Sequence, residues 1–318
     1  MILAGDIGGT KVNLALFDNA TCVLEKRYES RIYSGVDAIL EDFLSGKSYK
    51  IEKACFGVAG PVAEGKCSLT NLPWLVEEQP LKELLDLNAV YLINDLVATA
   101  HSIPILGSAD VKTLQPGNLM ESGNIVVIAA GTGLGQAFLT ADGNGKYRIM
   151  SSEGGHCDFS PRNRLETELL YFLQKKYSRV SIERVLSGSG LLDIFAFLKS
   201  VSGEKGDASD SGTIDSPESI IDRAFAQESQ VCEKTLRLFI SLYGALAGNL
   251  ALQYLSQGGV YLAGGIAPKI APVLKEYGFM EAFLAKGRFA EYLSKIPVKI
   301  VMNEKAPLLG ATQYATVL

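Results

Sequence analysis

Residues 1–17, MILAGDIGGTKVNLALF, decide the fold. Two β-rich runs, 2–6 and 11–17, flank Gly8-Gly9-Thr10, so the stretch predicts a hairpin closed by a glycine-tight turn. A second strand–turn–strand unit, NIVVIAAGTGLGQAFLT at 124–140, has the same design. It consists of an apolar strand, a glycine-rich turn holding one threonine, and a second strand. The two copies point to a duplicated domain plan, without detailed sequence repetition.

Working outward, strands alternate with helical stretches, the pattern of an α/β fold. Lys53–Ala59 (KACFGVA) predicts a buried strand ending at Gly60-Pro61. Ala89–Ile93 (AVYLI) predicts another, whose end delivers Asn94 and Asp95, and Leu96–His101 opens a helix that stops before Pro104. Residues 163–177 carry Leu165, Leu169, Phe172 and Leu173 at helical spacing, an amphipathic helix. The segment 229–256 is a long, largely apolar helix expected to run through a core. Strand Val260–Leu262 leads into Ala263-Gly264-Gly265-Ile266-Ala267-Pro268, with a helix expected to open at Pro268. Gly203–Pro217 is small, polar and Gly/Ser/Asp-rich, the composition of a surface loop. A terminal helix over Pro307–Val317 starts with proline at a favoured first-turn position.

At about 100–200 residues per domain, 318 residues suggest two domains, enough chain to build cores without staples. Five widely spaced cysteines with no CxxC pair do not build a disulfide framework or a zinc site, and they fit a reducing cytosol. The start of the chain lacks a basic flank and an adequate apolar run, so no signal peptide is expected. Apolar stretches are broken well before about 18 residues, so no membrane span is expected either. A net charge of −5 lacks the basic stripe of a general nucleic-acid binder.

In Asp6-Ile7-Gly8-Gly9-Thr10, backbone N–H groups can approach an anion unobstructed, and threonine adds a hydroxyl donor. Asp6 itself would repel phosphate, but it suits a hydrated Mg2+ beside one. A lone GGT turn is ordinarily a plain hairpin. The second turn, Gly131-Thr132-Gly133-Leu134-Gly135, turns the pair into two clamps for one polyphosphate. Gly264-Gly265 at a strand's carboxyl end leaves room for a flat ring or ribose, or is simply a helix-entry turn. Gly60–Cys67 reads GxxxxGK but ends in cysteine where a P-loop needs a hydroxyl, and no helix opening follows. No GxGxxG is present.

Asp95, at a strand end, faces the crevice where open α/β sheets bind ligands, and could take a hydroxyl proton there. It could equally cap the helix that follows. Glu153-Gly154-Gly155-His156 offers a carboxylate acceptor and an imidazole donor suited to adjacent sugar hydroxyls. A structural histidine, or a weak metal site with Cys157 and Asp158, is the competing reading. Spacing alone does not separate Glu183 from a helix-face carboxylate beside Arg184. Asn71 and Trp74 in LTNLPW either approach a ligand or merely pack.

Taken together, AGDIGGTK, CFGVAGPV, LTNLPW, LINDLVATA, AAGTGLGQA, SSEGGHCDFSP, IERVLSGSGL and YLAGGIAPKI resemble, in order, the bacterial glucokinases of the Glk type. These belong to the sugar kinase–actin–heat-shock ATPase superfamily. The closing APLLGA fits as well. The resemblance implies two actin-like, ribonuclease H-like α/β domains around a central cleft. The smaller would comprise residues 1–105 with 304–318, and the larger 106–303. It implies transfer of the γ-phosphoryl group of ATP to the 6-hydroxyl of D-glucose, with Asp95 as general base. Asn94, Glu153, His156 and Glu183 would hold the sugar, with backbone help at Gly133. Phosphates and Mg2+ would lie against Asp6–Thr10, including Gly8 and Gly9, and against Gly131, Thr132 and Gly133, with adenosine near Gly264 and Gly265. A cytoplasmic homodimer, without nucleic-acid or membrane partners, completes the expectation. The cysteine-rich zinc motif of ROK sugar kinases is absent after EGGH. No helix-turn-helix precedes DIGGT, which argues against a ROK-type repressor. The rival readings are a kinase for another hexose, such as mannose, fructose or an amino sugar, and a sugar or nucleotide sensor without turnover.

Overall fold

The computed structural model describes residues 1–19, 21–46, 49–69, 72–201 and 214–318. It divides into two compact units, one of residues 1–110, 149–151 and 303–318, the other of residues 111–148 and 152–302.

The first unit begins with β1 (Ile2–Ile7) and β2 (Lys11–Asp18), the hairpin expected around Gly8-Gly9-Thr10, followed by β3 (Thr21–Glu29) and α1 (Val36–Leu44). Then come β4 (Lys53–Val58), the short pair β5 (Lys66–Ser68) and β6 (Leu75–Glu77), α2 (Glu78–Leu85), β7 (Val90–Asn94) and α3 (Asp95–Ser102). Among the described residues, five strands form one sheet in the order β3-β2-β1-β4-β7. β1 runs antiparallel to β2 and parallel to β4, and β4 runs parallel to β7. Covered on both faces, β4 buries five consecutive residues, as a central parallel strand should. Edge strand β3 is charged and mostly exposed, which discourages pairing with another chain. Because Lys66–Ser68 is a strand and not a helix, the GxxxxGK stretch makes no P-loop. Trp74 is buried in the core with Phe56 and Leu81, so it packs; Asn71 lies outside the described residues.

The second unit opens with β8 (Val111–Gln115), followed by β9 (Ile125–Ala130), β10 (Leu134–Ala141) and β11 (Tyr147–Ser152). Helices α4 (Arg164–Gln174), α5 (Gly188–Val201), α6 (Pro217–Phe225) and α7 (Gln230–Gln253) come next. The chain continues through β12 (Gly259–Ala263), α8 (Ile266–Ile270), α9 (Phe279–Leu284), α10 (Ala290–Ser294) and β13 (Val298–Val301). The sheet order is β11-β10-β9-β12-β13-β8. An antiparallel β9–β10 hairpin again lies on parallel strands, β9 with β12 and β12 with β13. Both sheets therefore share one plan, three meandering strands and then two parallel ones, which neither sequence half displays residue by residue. α7 is long and apolar enough to cross a membrane, but most of its side chains form the interior of this unit. The expected loop at 203–217 lies largely outside the described residues, with α5 ending at Val201 and α6 beginning at Pro217.

Two expectations need correction. Leu165 is 41% exposed, and the residue that α4 buries beside Leu169 and Leu173 is Glu166. Its carboxylate accepts bonds from the Arg162 guanidinium, the Arg162 backbone N–H and the Asn163 amide, so a charge occupies a core-facing position fully paired. Helix α8 starts at Ile266, and Pro268 is its third residue, still in the first turn where no N–H is needed.

The chain returns to the first unit as α11 (Ala306–Val317), which packs along α3. Gly310 touches the Ala98 carbonyl so closely that a Cβ would overlap it. Gly310→Ala is therefore expected to cost about 1–3 kcal/mol through overpacking, read as a lower urea midpoint. An unchanged midpoint would contradict this account of the helix contact.

Candidate active site

In the first unit the β1–β2 register sets Asp6 directly opposite Asn13, whose Nδ2 donates to Asp6 Oδ2 at 3.2 Å. The turn is closed by the Gly8 N–H donating to the Lys11 carbonyl at 2.9 Å, with Thr10 exposed and Gly9 partly so. Ser30, fully buried, braces it from behind: its hydroxyl donates to the Gly8 carbonyl and its N–H to the Thr10 carbonyl. Nothing in the sequence marks Ser30, because the contact is made from beyond β3.

Asp6 also pairs in register with Gly57 of β4, and Gly57 lies against the first turn of α3, where a Cβ would stand 3.5 Å from the Asp95 Cα. Two carboxylates thus sit at the carboxyl ends of β1 and β7, the strands on either side of β4. Burial, with Asp95's negative charge adding to it, pushes the Asp6 carboxyl from its ordinary 3.8 up to about 6, while Asn13 and Arg27 partly offset the rise.

The choice between cap and base at Asp95 is narrowed by its neighbour. Asn94 is the N-cap of α3, its Oδ1 accepting from the Leu96 and Val97 N–H groups at 3.0 and 3.3 Å. Its Nδ2 donates to the Gly60 carbonyl at 3.2 Å. Asp95 is the first helical residue, oriented by the Leu96 N–H on its Oδ1 at 2.8 Å. The other histidine of the chain, His101 on α3, packs edge-on against Tyr314 with ring centroids 5.0 Å apart. Burial pulls its pKa down to about 4.

In the second unit the Gly131–Gly133 turn lies beside the β12 exit. The Gly131 N–H donates to the Gly133 carbonyl at 2.9 Å, and Thr132 is exposed. Gly264 has φ +80°, and a Cβ there would meet the Ala130 carbonyl at 2.5 Å. Gly265 borders open space, so the two glycines differ in kind. A Cβ on Gly131 would come 3.9 Å from the Gly265 nitrogen, which puts both glycine turns at the same end of the sheet.

Glu183 sits in a tight turn over Ile182–Arg184, away from any long helix face. Its Oε2 accepts the Leu134 N–H at 3.0 Å, and a Cβ on Gly133 would approach that oxygen to 2.7 Å. The structure thus joins Gly133 and Glu183, which are far apart in sequence. Glu153 precedes the turn Gly154–His156 and His156 closes it, with Oε2 and Nε2 3.9 Å apart and both well exposed. The glycines are required: a Cβ on Gly155 would strike the Leu134 carbonyl and one on Gly154 the Gln136 side chain. Arg179 clamps this loop, its Nη1 donating to the His156 carbonyl and to Asp158 Oδ1, both at 2.8 Å. Sequence reading passes over Arg179, since a lone surface arginine carries no pattern. Among the described residues no cluster of histidine, cysteine and carboxylate side chains is arranged to hold a metal.

Each unit therefore carries glycine turns at the carboxyl ends of its central strands and exposed polar groups beside them, the layout of an actin-like sugar kinase. A solved ROK-family glucokinase from Streptomyces griseus, in complex with glucose and AMPPNP, shares this fold with a TM-score of 0.69 at 19% identity, covering 100% of this chain and 99% of that one. The model of the family described as Glucokinase matches residues 3–317. The glucokinase of Synechocystis sp. is 39% identical over 344 residues, covering 98% of this chain and 97% of that protein. The solved glucokinase from an Antarctic psychrotroph is 32% identical with a TM-score of 0.87, covering 100% of this chain and 99% of that one. The chain belongs to the glucokinase family.

Gly133→Ala places a methyl group against the Glu183 carboxylate. Loss of the bond from Leu134 is expected to speed amide exchange at Leu134 roughly tenfold, with melting close to wild type. Unaltered exchange would mean that Glu183 is held by something else.

Proposed function

We propose that this chain transfers the γ-phosphoryl group of ATP to the 6-hydroxyl of D-glucose, giving glucose 6-phosphate and ADP, with Asp95 as general base. The observation that carries the base assignment is the division of labour at β7: Asn94 caps α3, so Asp95 is not needed as the cap. In the transfer, the glucose O6–H bond breaks and its proton passes to the Asp95 carboxylate. The O6–Pγ bond forms as the bond from Pγ to the bridging oxygen of ADP breaks. Such a reaction depends chiefly on positioning and charge stabilisation, which suits a site built from backbone turns.

Glu153, His156 and Glu183 serve as sugar-hydroxyl partners in this reading, with Asn94 and the Gly133 backbone. Support comes from the fixed geometry of two of them: Glu183 is held by Leu134, and the His156 carbonyl is held by Arg179. The Gly8–Thr10 and Gly131–Gly133 turns offer N–H groups and hydroxyls to the phosphates, and the open side of Gly265 leaves space for adenosine. Mg2+ arrives with ATP as part of the substrate. The donor set fits it: a carboxylate strained by burial and by a second carboxylate gains from a hydrated cation, and Mg2+ usually keeps water between itself and its protein partners. A cytoplasmic homodimer without nucleic-acid or membrane partners belongs to the same reading.

The test is ADP release from Mg-ATP across a panel of hexoses, beside Asp95→Asn. Glucose-dependent release that falls about 10²–10⁴-fold in the variant, with glucose still bound, is the expected result. Release with mannose, fructose or an amino sugar instead would keep the mechanism and move the specificity. Glucose binding without release would favour the sensor, and full turnover by Asp95→Asn would remove the base assignment.

Asp6 also gives the site a pH dependence. Its raised pKa favours the protonated carboxyl, so its contribution to fold stability declines as pH rises from about 4 to about 6. His101, with a lowered pKa, contributes stability that grows as pH rises from about 4 to 6.5. The two offset each other in melting experiments, whereas nucleotide binding isolates Asp6. Affinity for a non-hydrolysable Mg-ATP analogue is expected to fall by up to about tenfold per pH unit below pH ~6. Asp95→Asn should move that midpoint downward by removing the like charge, and Asp6→Asn should abolish the dependence. A midpoint that stays put in both variants would assign the titration elsewhere.

A further inference from the structure

A pocket of about 490 Å³ opens in the second unit, between α7 and the loop that carries Glu153 and His156. Its size falls within the range of small-molecule sites, about 300–1,000 Å³. Phe159, Leu242 and Leu246 are among its apolar lining residues, and Ser152, Gly154 and Gln136 line it as well. Two polar residues of the lining, Gln136 and Lys286, bear on what it could hold.

Gln136 is only 3% exposed and lines the pocket, so the polar end of its side chain lies within reach of an occupant. Lys286, half-buried at the rim, has no carboxylate within ion-pair distance among the described residues. Its neighbour Arg162 is already committed to the buried Glu166. Asp158, the carboxylate in the lining, is neutralised by Arg179. The pocket therefore combines a lysine without an ion-pair partner among the described residues, an amide and several apolar side chains. Burial and the Arg162 charge lower the Lys286 pKa, Glu166 partly offsets them, and a bound anion would oppose the fall further.

We propose that this pocket is a second ligand site, for a small organic anion, a phosphate ester or carboxylate with an apolar body, and that its occupancy is felt by the Glu153–His156 loop. The anionic group pairs with Lys286, a hydroxyl or ether oxygen takes the Gln136 amide, and the apolar body lies on Phe159, Leu242 and Leu246. The coupling has a physical route. Ser152 and Gly154 line the pocket while the Gly154 N–H donates to the Ser152 hydroxyl at 3.0 Å, and Glu153 lies between them. A ligand that touches both residues holds the Glu153 backbone from behind. The coupling half of the proposal rests on the sugar-binding reading of that loop; the binding half does not.

The test is calorimetric titration of the intact chain, saturated with a non-hydrolysable Mg-ATP analogue, with phenyl phosphate, benzoate, inorganic phosphate and benzyl alcohol. Phenyl phosphate or benzoate should bind, the stronger of the two identifying the anion. Benzyl alcohol, lacking the charge, and inorganic phosphate, lacking the body, should bind at least about tenfold more weakly, the worth of a single charge-assisted contact. Lys286→Met removes the charge, and Asn249→Trp fills the pocket from the exposed face of α7. Each should lower affinity tenfold or more at unchanged melting temperature. Saturating aryl anion should shift the glucose dissociation constant, and glucose should shift the anion's by the same factor. No binding by either aryl anion, or binding indifferent to both substitutions, overturns the site. Binding that leaves glucose affinity untouched overturns the coupling. Self-association blocked by Asn249→Trp, without anion binding, assigns the face to a second copy of the chain and overturns the site as well. Because heat of binding is read without turnover, a chain that binds the anion but phosphorylates no sugar would fail the proposed function and leave the pocket standing.

Discussion

Contact between helix backbones, possible only where glycine removes the Cβ, is the constraint on which both units depend. In the first, Gly310 of α11 lies on the Ala98 carbonyl of α3. In the second, Gly244 and Gly248 of α7 face the Phe279 and Phe283 carbonyls of α9. At this separation no side chain can intervene, so the helices have essentially one arrangement. The consequence reaches the chemistry. With α3 seated, its first residue, Asp95, is held at the end of β7, and Asn94 can complete the cap. With α7 seated, the Tyr243 hydroxyl reaches the Ile128 carbonyl of β9 at 3.1 Å and ties the helix to the strand that enters the Gly131–Gly133 turn.

On that frame, the candidate site residues cluster at strand ends, where backbone polar groups are no longer used up by the sheet. The β1–β2 and β9–β10 turns are the same device used twice, yet their surroundings differ. The first is braced by Ser30 and adjoins Asp6, whose cost of ionisation is raised by burial and by the charge of Asp95. The second adjoins Gly264-Gly265 and the Glu183 turn, a region of open backbone with no carboxylate cluster. The first surroundings thus favour a cation and the second an uncharged or anionic group.

Much of this was legible in the sequence. The two glycine–threonine turns, the buried run at 53–59, the Asn94-Asp95 strand end and the α7 segment all follow from local patterns, and local patterns are what a sequence carries directly. Leu165 shows the limit. Helical spacing put it on the buried stripe, but α4 turns Glu166 inward because Arg162 and Asn163 supply enough donors to pair a buried carboxylate. Periodicity counts apolar residues and has no view of such pairing. Ser30 and Arg179 were missed for a related reason, since each acts on a turn that is distant in sequence.

By itself, the sequence determined the α/β class, the positions of the turns and, through eight ordered motifs, the family. Those features rest on backbone preference and hydrophobic periodicity, which are properties of short stretches. Only the tertiary structure decided that Asn94 and not Asp95 caps α3, that Glu183 answers to Gly133 and Leu134, and that Gln136 and Lys286 line one pocket. Each of these depends on groups brought together from separate elements. Whether a polar side chain is satisfied is settled by what folding places within about 3 Å of it, and no local pattern records that.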